Sequence, residues 1–479
     1  MEKFSDLSQK MINLSQQSLE IPRVPDSLLR PKTYVGQLLI LGNGFDRQCG
    51  LESSYADFYN DRYPSDVIDK ILKIGTDYDI SSVGSIYRFN IWDYILVYYF
   101  KFKSNESPYE QWSSIEDIIE MVVDDQLSQK IFRRHDDLHP FNLFSDLRAR
   151  IMATDDLSED DIGTFVEKHP SVSNKHSESN YLYFLEHLSC ILKNNYPDII
   201  YQLNQNDDSN YSIRKMFLSE LKKFESAFAC YLVEELKKAP EDKDNYFAKS
   251  RDLIEQLIGT DLQLDDNDQL ANSILSFNYT KPFSWYRATA ETIYCLRNVH
   301  GALNKEKPAE SEIIFGIDSQ DINHISETAN KTNNAEGRTG FTKTFRTLSL
   351  NASRLEHNIF DYEIQIIKVY GHSLDEGDYS YFQSIFDAVD LYGSNVAIYF
   401  YYSAYADSDH ANDELEYDYF KKVAHLFEEY GSTIDNPNHG KNLLHKLILE
   451  DRIHIKKIDS NILDQNWFDY RDRVVEEHI

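Results

Sequence analysis

QLLILGNGFDRQCGLESSYADF, residues 37–58, sets the class of fold. An aliphatic run, Gln37 to Leu41, leads straight into Gly42-Asn43-Gly44. That reads as a buried strand ending on a tight turn, since glycine and asparagine are the residues that tolerate such backbone geometry. In doubly wound α/β sheets a turn of this kind after the first strand carries a phosphate, with the next helix aimed at the same place. The full G-x-G-x-x-G spacing is absent, because Phe45, Asp46 and Arg47 follow Gly44 and the next glycine is Gly50.

Around this strand the chain organises itself in order. Residues 1–36 read as an N-terminal arm and linker, with Pro22, Pro25 and Pro31 ahead of the strand. A helix is expected from Tyr55, capped by Ser53 or Ser54. From there to about residue 268 apolar residues recur at three- and four-residue spacing, over 89–102, 114–132, 176–194 and 214–238, and acidic or Asn-rich breaks separate them. Residues 61–269 therefore read as a helical insertion or cap. Strand character returns at 273–279, 292–299, 312–317, 363–370 and 395–402, with 453–458 as a sixth, and helical patterns at 378–391 and 412–430 lie between. Apolar strands alternating with helices point to a mostly parallel sheet covered on both faces. Residues 37–60 and 270–479 would together form that nucleotide-binding domain.

Composition narrows the function. With 479 residues, 41% of them hydrophobic, the chain has ample core for more than one unit of roughly 150 residues. A net charge of −31 argues against nucleic acid as partner, because phosphate backbones are held by clustered Lys and Arg. Four cysteines, Cys49, Cys190, Cys230 and Cys295, are scattered without a C-x-x-C pair, which fits a cytoplasmic location and supplies no zinc ribbon. Met1 to Leu19 is polar, and the longest apolar run, 94–100, is far short of the roughly 20 residues that span a bilayer. No membrane association and no metal are expected. His135 and His139 in HDDLH stand one helical turn apart but lack a third ligand. Arg338, Lys343 and Arg346 form a small basic group that reads as solvated surface in preference to a contact to a phosphate of nucleotide or nucleic acid.

In a parallel sheet the polar residues at the carboxyl ends of strands carry the chemistry. Five strand ends here do so: Gly42-Asn43-Gly44-Phe45-Asp46, Ser276-Phe277-Asn278-Tyr279-Thr280, Asn298-Val299-His300-Gly301, Gly316-Ile317-Asp318 and Gly371-His372-Ser373-Leu374-Asp375. Each has an ordinary explanation, Asn278 as a cap, His300 as a hydrogen-bonded loop residue, Asp318 as a turn former and Ser373 as a helix cap. Their recurrence at five strand ends is what points to a site.

The series GNGFD, FNYT, VHG, FGID and GHSLDEGD, in that order and with a long helical segment between the first two, resembles the AbiH family of bacteriophage abortive-infection proteins. It also resembles, distantly, sirtuin-like NAD-binding domains. The resemblance implies a sirtuin-like Rossmann-type sheet with a helical cap, and binding or hydrolysis of NAD as substrate or ligand, that is, an NAD+ glycohydrolase. By residue matching, Asn278 and His300 would be catalytic. Gly42, Asn43, Gly44, Phe45 and Asp46 would line the pyrophosphate and ribose, together with Asp318, and Gly371, His372 and Ser373 would close over the adenosine half. Asn43 replaces the small residue of the sirtuin turn, Thr280 replaces an acidic residue, and the zinc cysteines are missing, so protein deacylation is not implied. An activity that must stay off until infection implies a phage-derived trigger or an inhibitory homo-oligomer. A nucleotide-binding sensor without turnover is the alternative reading.

Overall fold

The computed structural model describes residues 33–72, 89–102, 115–123, 143–152, 177–196, 209–238, 246–262, 268–282, 293–317, 338–351, 358–360, 362–403 and 409–458. Six strands, β1 (Thr33–Leu41), β2 (Asp268–Ser276), β3 (Ile293–Asn298), β4 (Ile364–Tyr370), β5 (Ala397–Tyr402) and β6 (Ile453–Lys457), form one sheet in the order β3-β2-β1-β4-β5-β6. All five pairings are parallel. The order reverses between β1 and β4, the position where doubly wound sheets place their ligand crevice.

β1 is central because it is apolar on both faces, as a strand covered by helices must be. Leu38 and Ile40 join a core with Ile367, Val369, Ile398, Phe400, Phe382, Phe427 and Leu443. That face is covered by α11 (Tyr379–Ala388), α12 (Asp409–Thr433) and α13 (Pro437–Leu449). Leu39 and Leu41 point the other way, to Leu253, Ile254, Leu257 and Ile258 on α9 (Tyr246–Gly259), as the two-residue repeat of a strand dictates. Lys368 of β4 fastens α9 to the sheet, its buried ammonium donating to Leu257 O, Ile258 O and Thr260 O at 2.9, 2.9 and 2.6 Å. Those carbonyls are the ones a helix end leaves without partners.

Between β1 and β2 run α1 (Asn43–Gln48), α2 (Tyr55–Arg62), α3 (Ser65–Leu72), α4 (Ile91–Phe102), α5 (Ile115–Val123), α6 (Leu143–Met152), α7 (Ser177–Asn195), α8 (Ser209–Lys238) and α9. Ser54 caps α2 with a full capping box involving Asp57. The helices α2 to α8 share an aromatic core of Phe58, Trp92, Tyr94, Tyr98, Phe184, Phe217 and Phe228, which extends to Tyr279, Phe315, Ile317 and Phe341 at the sheet's carboxyl end. The buried Arg62 binds Asp93 at 2.5 and 3.0 Å and so ties α2 to α4. Among the described residues no helix is long and apolar enough to cross a membrane.

The architecture expected from the sequence, an α/β fold on a parallel sheet, is the one observed. β1 begins at Thr33 rather than 37, because Thr33 to Gly36 pair with Asp268 to Ala271. Residues 312–317, expected as a strand, lie outside the sheet, with a single parallel bridge from Ile317 to Thr342. Their amides are spent elsewhere, Ile314 N on His300 O at 3.0 Å and Phe315 N on Glu225 Oε1 at 2.7 Å. Residues 1–32, His135, His139 and Asp318 lie outside the described residues.

Gly371, just after β4, has φ +68°, and a Cβ there would stand 2.4 Å from Phe45 N. Gly50 has φ +86° but open surroundings, with Lys249 Nζ 3.7 Å away. Gly50→Ala therefore costs about 1 kcal/mol, the left-handed backbone strain alone. Gly371→Ala adds backbone overlap and costs about 3 kcal/mol or more. Urea unfolding of the two variants side by side checks the difference.

Candidate functional site

The turns after β1 and β4 interlock through their backbones. Gly42 N donates to Tyr370 O at 3.0 Å, Gly44 N to Gly371 O at 2.8 Å and Phe45 N to Gly42 O at 2.9 Å. A Cβ on Gly42 would meet His372 Cα at 2.4 Å, and one on Gly44 would meet Gly371 Cα at 2.8 Å. The glycines are thus needed for close contact between two strand ends, and the amides of Gly42 and Gly44 are engaged within the protein. Asn43 is exposed, its Oδ1 accepting from Ser53 at 2.6 Å, and Ser373 is exposed.

β2 is stitched to the same edge. Asn278 is buried and donates from Nδ2 to Gly42 O at 3.0 Å, while Asn298 donates to Asn278 O and Thr280 O at 2.7 and 2.8 Å. Asp46 points into the protein, where Tyr246 donates to it at 2.7 Å and Thr280 at 2.9 Å. Burial pushes its carboxyl up to about 6, against the pull of those hydrogen bonds.

His300 follows β3 and is 4% exposed. Gly301 behind it has φ +84° and backs onto Glu312 O, where any Cβ would stand 1.5 Å away, so the imidazole is delivered by a turn that only glycine can make. Its Nε2 lies 3.2 Å from Asp378 Oδ1, and its ring sits edge-on to Phe277 and Tyr381 with centroids 5.6 and 5.5 Å apart. Nδ1 is buried and has no hydrogen-bond partner among the described residues. His372 accepts from Leu374 N at its Nδ1, 2.9 Å, and turns Nε2 toward Asp378 Oδ2 at 3.5 Å. One carboxylate therefore faces two imidazoles.

A cation completes the group. Lys343, the first residue of α10 (Lys343–Asn351), is 2% exposed, and its ammonium reaches Asp378 Oδ1 at 2.9 Å, Glu116 Oε2 at 2.8 Å and Gly377 O at 3.3 Å. Burial works to raise the Asp378 carboxyl, but Lys343 and the two imidazoles outweigh it and hold Asp378 well below the usual range. Burial, then the Lys343 charge, lower His300 below its ordinary value. At neutral pH the ring is thus neutral. With Asp378 ionised, the hydrogen bonds assign the proton to Nε2, leaving a lone pair on Nδ1. Burial likewise raises Glu116 to about 7 although Lys343 opposes it. Tyr55 and Tyr279, hydroxyl to hydroxyl at 3.2 Å, lie beside this group and are raised by burial.

The structure brings Gly42, Gly44, Asn278, His300, Gly371 and His372 to one edge of the sheet, with Phe277 and His372 standing between His300 and the β1 turn. Lys343, Glu116 and Asp378 were not singled out in sequence as site residues. The basic group read as surface is in fact buried, Arg346 forking onto Glu225 and Phe315 O, and Arg338 reaching Glu120 at 3.1 Å. Asp378 does stand in the GHSLDEGD stretch, and that is the one signal that could have found it. Among the described residues no group of three or more His, Cys, Asp or Glu side chains is placed to hold a metal ion.

Because Asp46 binds its proton more tightly folded than unfolded, it opposes folding as pH rises through the window from 3.8 to about 6. Lowering the pH from 7 to 5 should stabilise wild type by about 1 kcal/mol relative to Asp46→Asn, read from urea unfolding at both pH values.

A family model described as bacteriophage abortive infection AbiH matches residues 38–402. No curated protein matches the chain, and no solved structure does. The family match runs from β1 through β5, so it takes in the interlocked turns, His300, Lys343 and Asp378 alike. The chain belongs to the AbiH family of bacteriophage abortive infection proteins.

Proposed function

We propose that this chain serves anti-phage defence by binding NAD+ and hydrolysing its nicotinamide–ribose bond at the carboxyl edge of the sheet. The observation that carries the reading is His300, a neutral imidazole held at Nε2 by an ionised Asp378, with Nδ1 left unpartnered among the described residues. In hydrolysis the bonding pair leaves with nicotinamide as a neutral molecule, while a water oxygen bonds to the ribose carbon and loses a proton. His300 Nδ1 takes that proton, and Asp378 stabilises the imidazolium so formed, the division of labour that general-base catalysis needs. Asn278 keeps the β1 turn in place through Gly42 O.

In this reading the sirtuin-like resemblance assigns Gly42, Asn43, Gly44, Phe45 and Asp46, with Asp318, to the pyrophosphate and ribose side. Gly371, His372 and Ser373 fall to the adenosine half. Since the Gly42 and Gly44 amides are already bonded, the turn would meet the dinucleotide through the exposed Asn43 and its backbone surface. His300 is covered in this state, which suits an activity released only on infection.

The covered Nδ1 also favours a second reading, a nucleotide-binding sensor without turnover. Purified protein incubated with NAD+, with and without phage lysate, separates the two. Release of nicotinamide, lost on the order of 100-fold or more in folded His300→Ala, supports hydrolysis. Heat of NAD+ binding with no nicotinamide released, lysate included, supports the sensor and overturns hydrolysis.

A further inference from the structure

Glu116 lies on α5, among the helices between β1 and β2, yet it reaches the sheet's carboxyl edge. An ammonium has three hydrogens, and Lys343 has three acceptors: Glu116, Asp378 and the Gly377 carbonyl. Two carboxylates thus divide one buried positive charge. They are not equivalent. Asp378 also serves His300 through Oδ1 and faces His372 through Oδ2, so a proton on Asp378 would disrupt the imidazole contacts. Glu116 holds neither imidazole, and its side chain is 23% exposed, so it exchanges protons with solvent without dismantling the group. Among the described residues, the other ionisable groups that act on it are Asp117 on its own helix and the hydroxyls of Tyr55 and Tyr279.

We propose that Glu116 is a positioning residue of this site, which sets, through its share of the Lys343 ammonium, how strongly Asp378 polarises His300. With Glu116 ionised, Lys343 is divided and Asp378 keeps enough negative charge to make Nδ1 basic. With Glu116 protonated, the whole ammonium charge falls on Asp378, and the pull on the Nε2 proton weakens. The helical region would then supply part of the reactive machinery in addition to covering it. Taking His300 as the reactive base rests on the NAD+ hydrolysis reading, whereas the coupling of Glu116 to His300 is measurable without any turnover.

The test follows the His300 ring by NMR in the full chain labelled at histidine, with its signal assigned by disappearance in His300→Asn. In wild type the signal should shift in a step near pH 7, where Glu116 titrates, apart from the ring's own protonation lower down. Glu116→Gln should lose that step, and Glu116→Asp should move it to another pH while keeping it. Nicotinamide release should rise through the same pH in wild type and become flat and several-fold lower in kcat in Glu116→Gln, with KM unchanged. A step that stays near pH 7 in either folded variant, or that wild type lacks, overturns the proposal. The step without nicotinamide release would leave the coupling standing and remove the hydrolysis reading.

Discussion

One buried ammonium holds the carboxyl edge of this protein together. Lys343 is taken out of water, a cost of several kcal/mol, and it finds two carboxylates and a carbonyl in compensation. Those partners come from α5 and from the turn before α11, while Lys343 itself opens α10. The same contact therefore fixes three separately folded pieces of backbone. It also keeps Asp378 ionised inside the protein, and an ionised Asp378 is what orients both His300 and His372.

The second constraint is the backbone interlock of β1 and β4. A sheet ordered β3-β2-β1-β4-β5-β6 diverges at this point and in a dinucleotide-binding protein leaves a crevice there. Here the two turns close on each other, glycine against glycine, with Gly42 and Gly44 donating across the gap. The chemistry that remains available is displaced to one side, over Phe277, where His300 meets Asp378. The two arrangements together leave this edge closed on itself, with Asp378 ionised between Lys343 and two imidazoles.

Much of the fold was legible because its signals are local. Apolar runs ending in Gly42, Asn298 and Gly371 announced strands, and the three- and four-residue spacing of 89–102 and 214–238 announced helices, since both patterns follow from burying one side of a regular backbone. Asn278 and His300 were legible as strand-end residues for the same reason. Lys343 was not, because its sequence neighbours Thr342 and Thr344 say nothing of burial and its partner Glu116 lies on the far side of the helical region. A lysine in solvent and one neutralised by two distant carboxylates look alike in a linear text. Residues 312–317 misled in the opposite direction. Their alternation is that of a strand, but the alternate side chains enter the aromatic core of the helices, and Glu225 takes an amide that a sheet would have used.

The carboxyl edge depends on the Lys343 charge, and replacing that residue by a methionine of similar length is the direct measurement. With Lys343→Met, Asp378 and Glu116 face each other without a cation. Stability in urea should fall by about 3 kcal/mol or more, with a larger deficit at pH 8, where Glu116 is ionised, than at pH 6. A variant within about 1 kcal/mol of wild type at both pH values would contradict the account, since it would mean that the ammonium balances no buried charge.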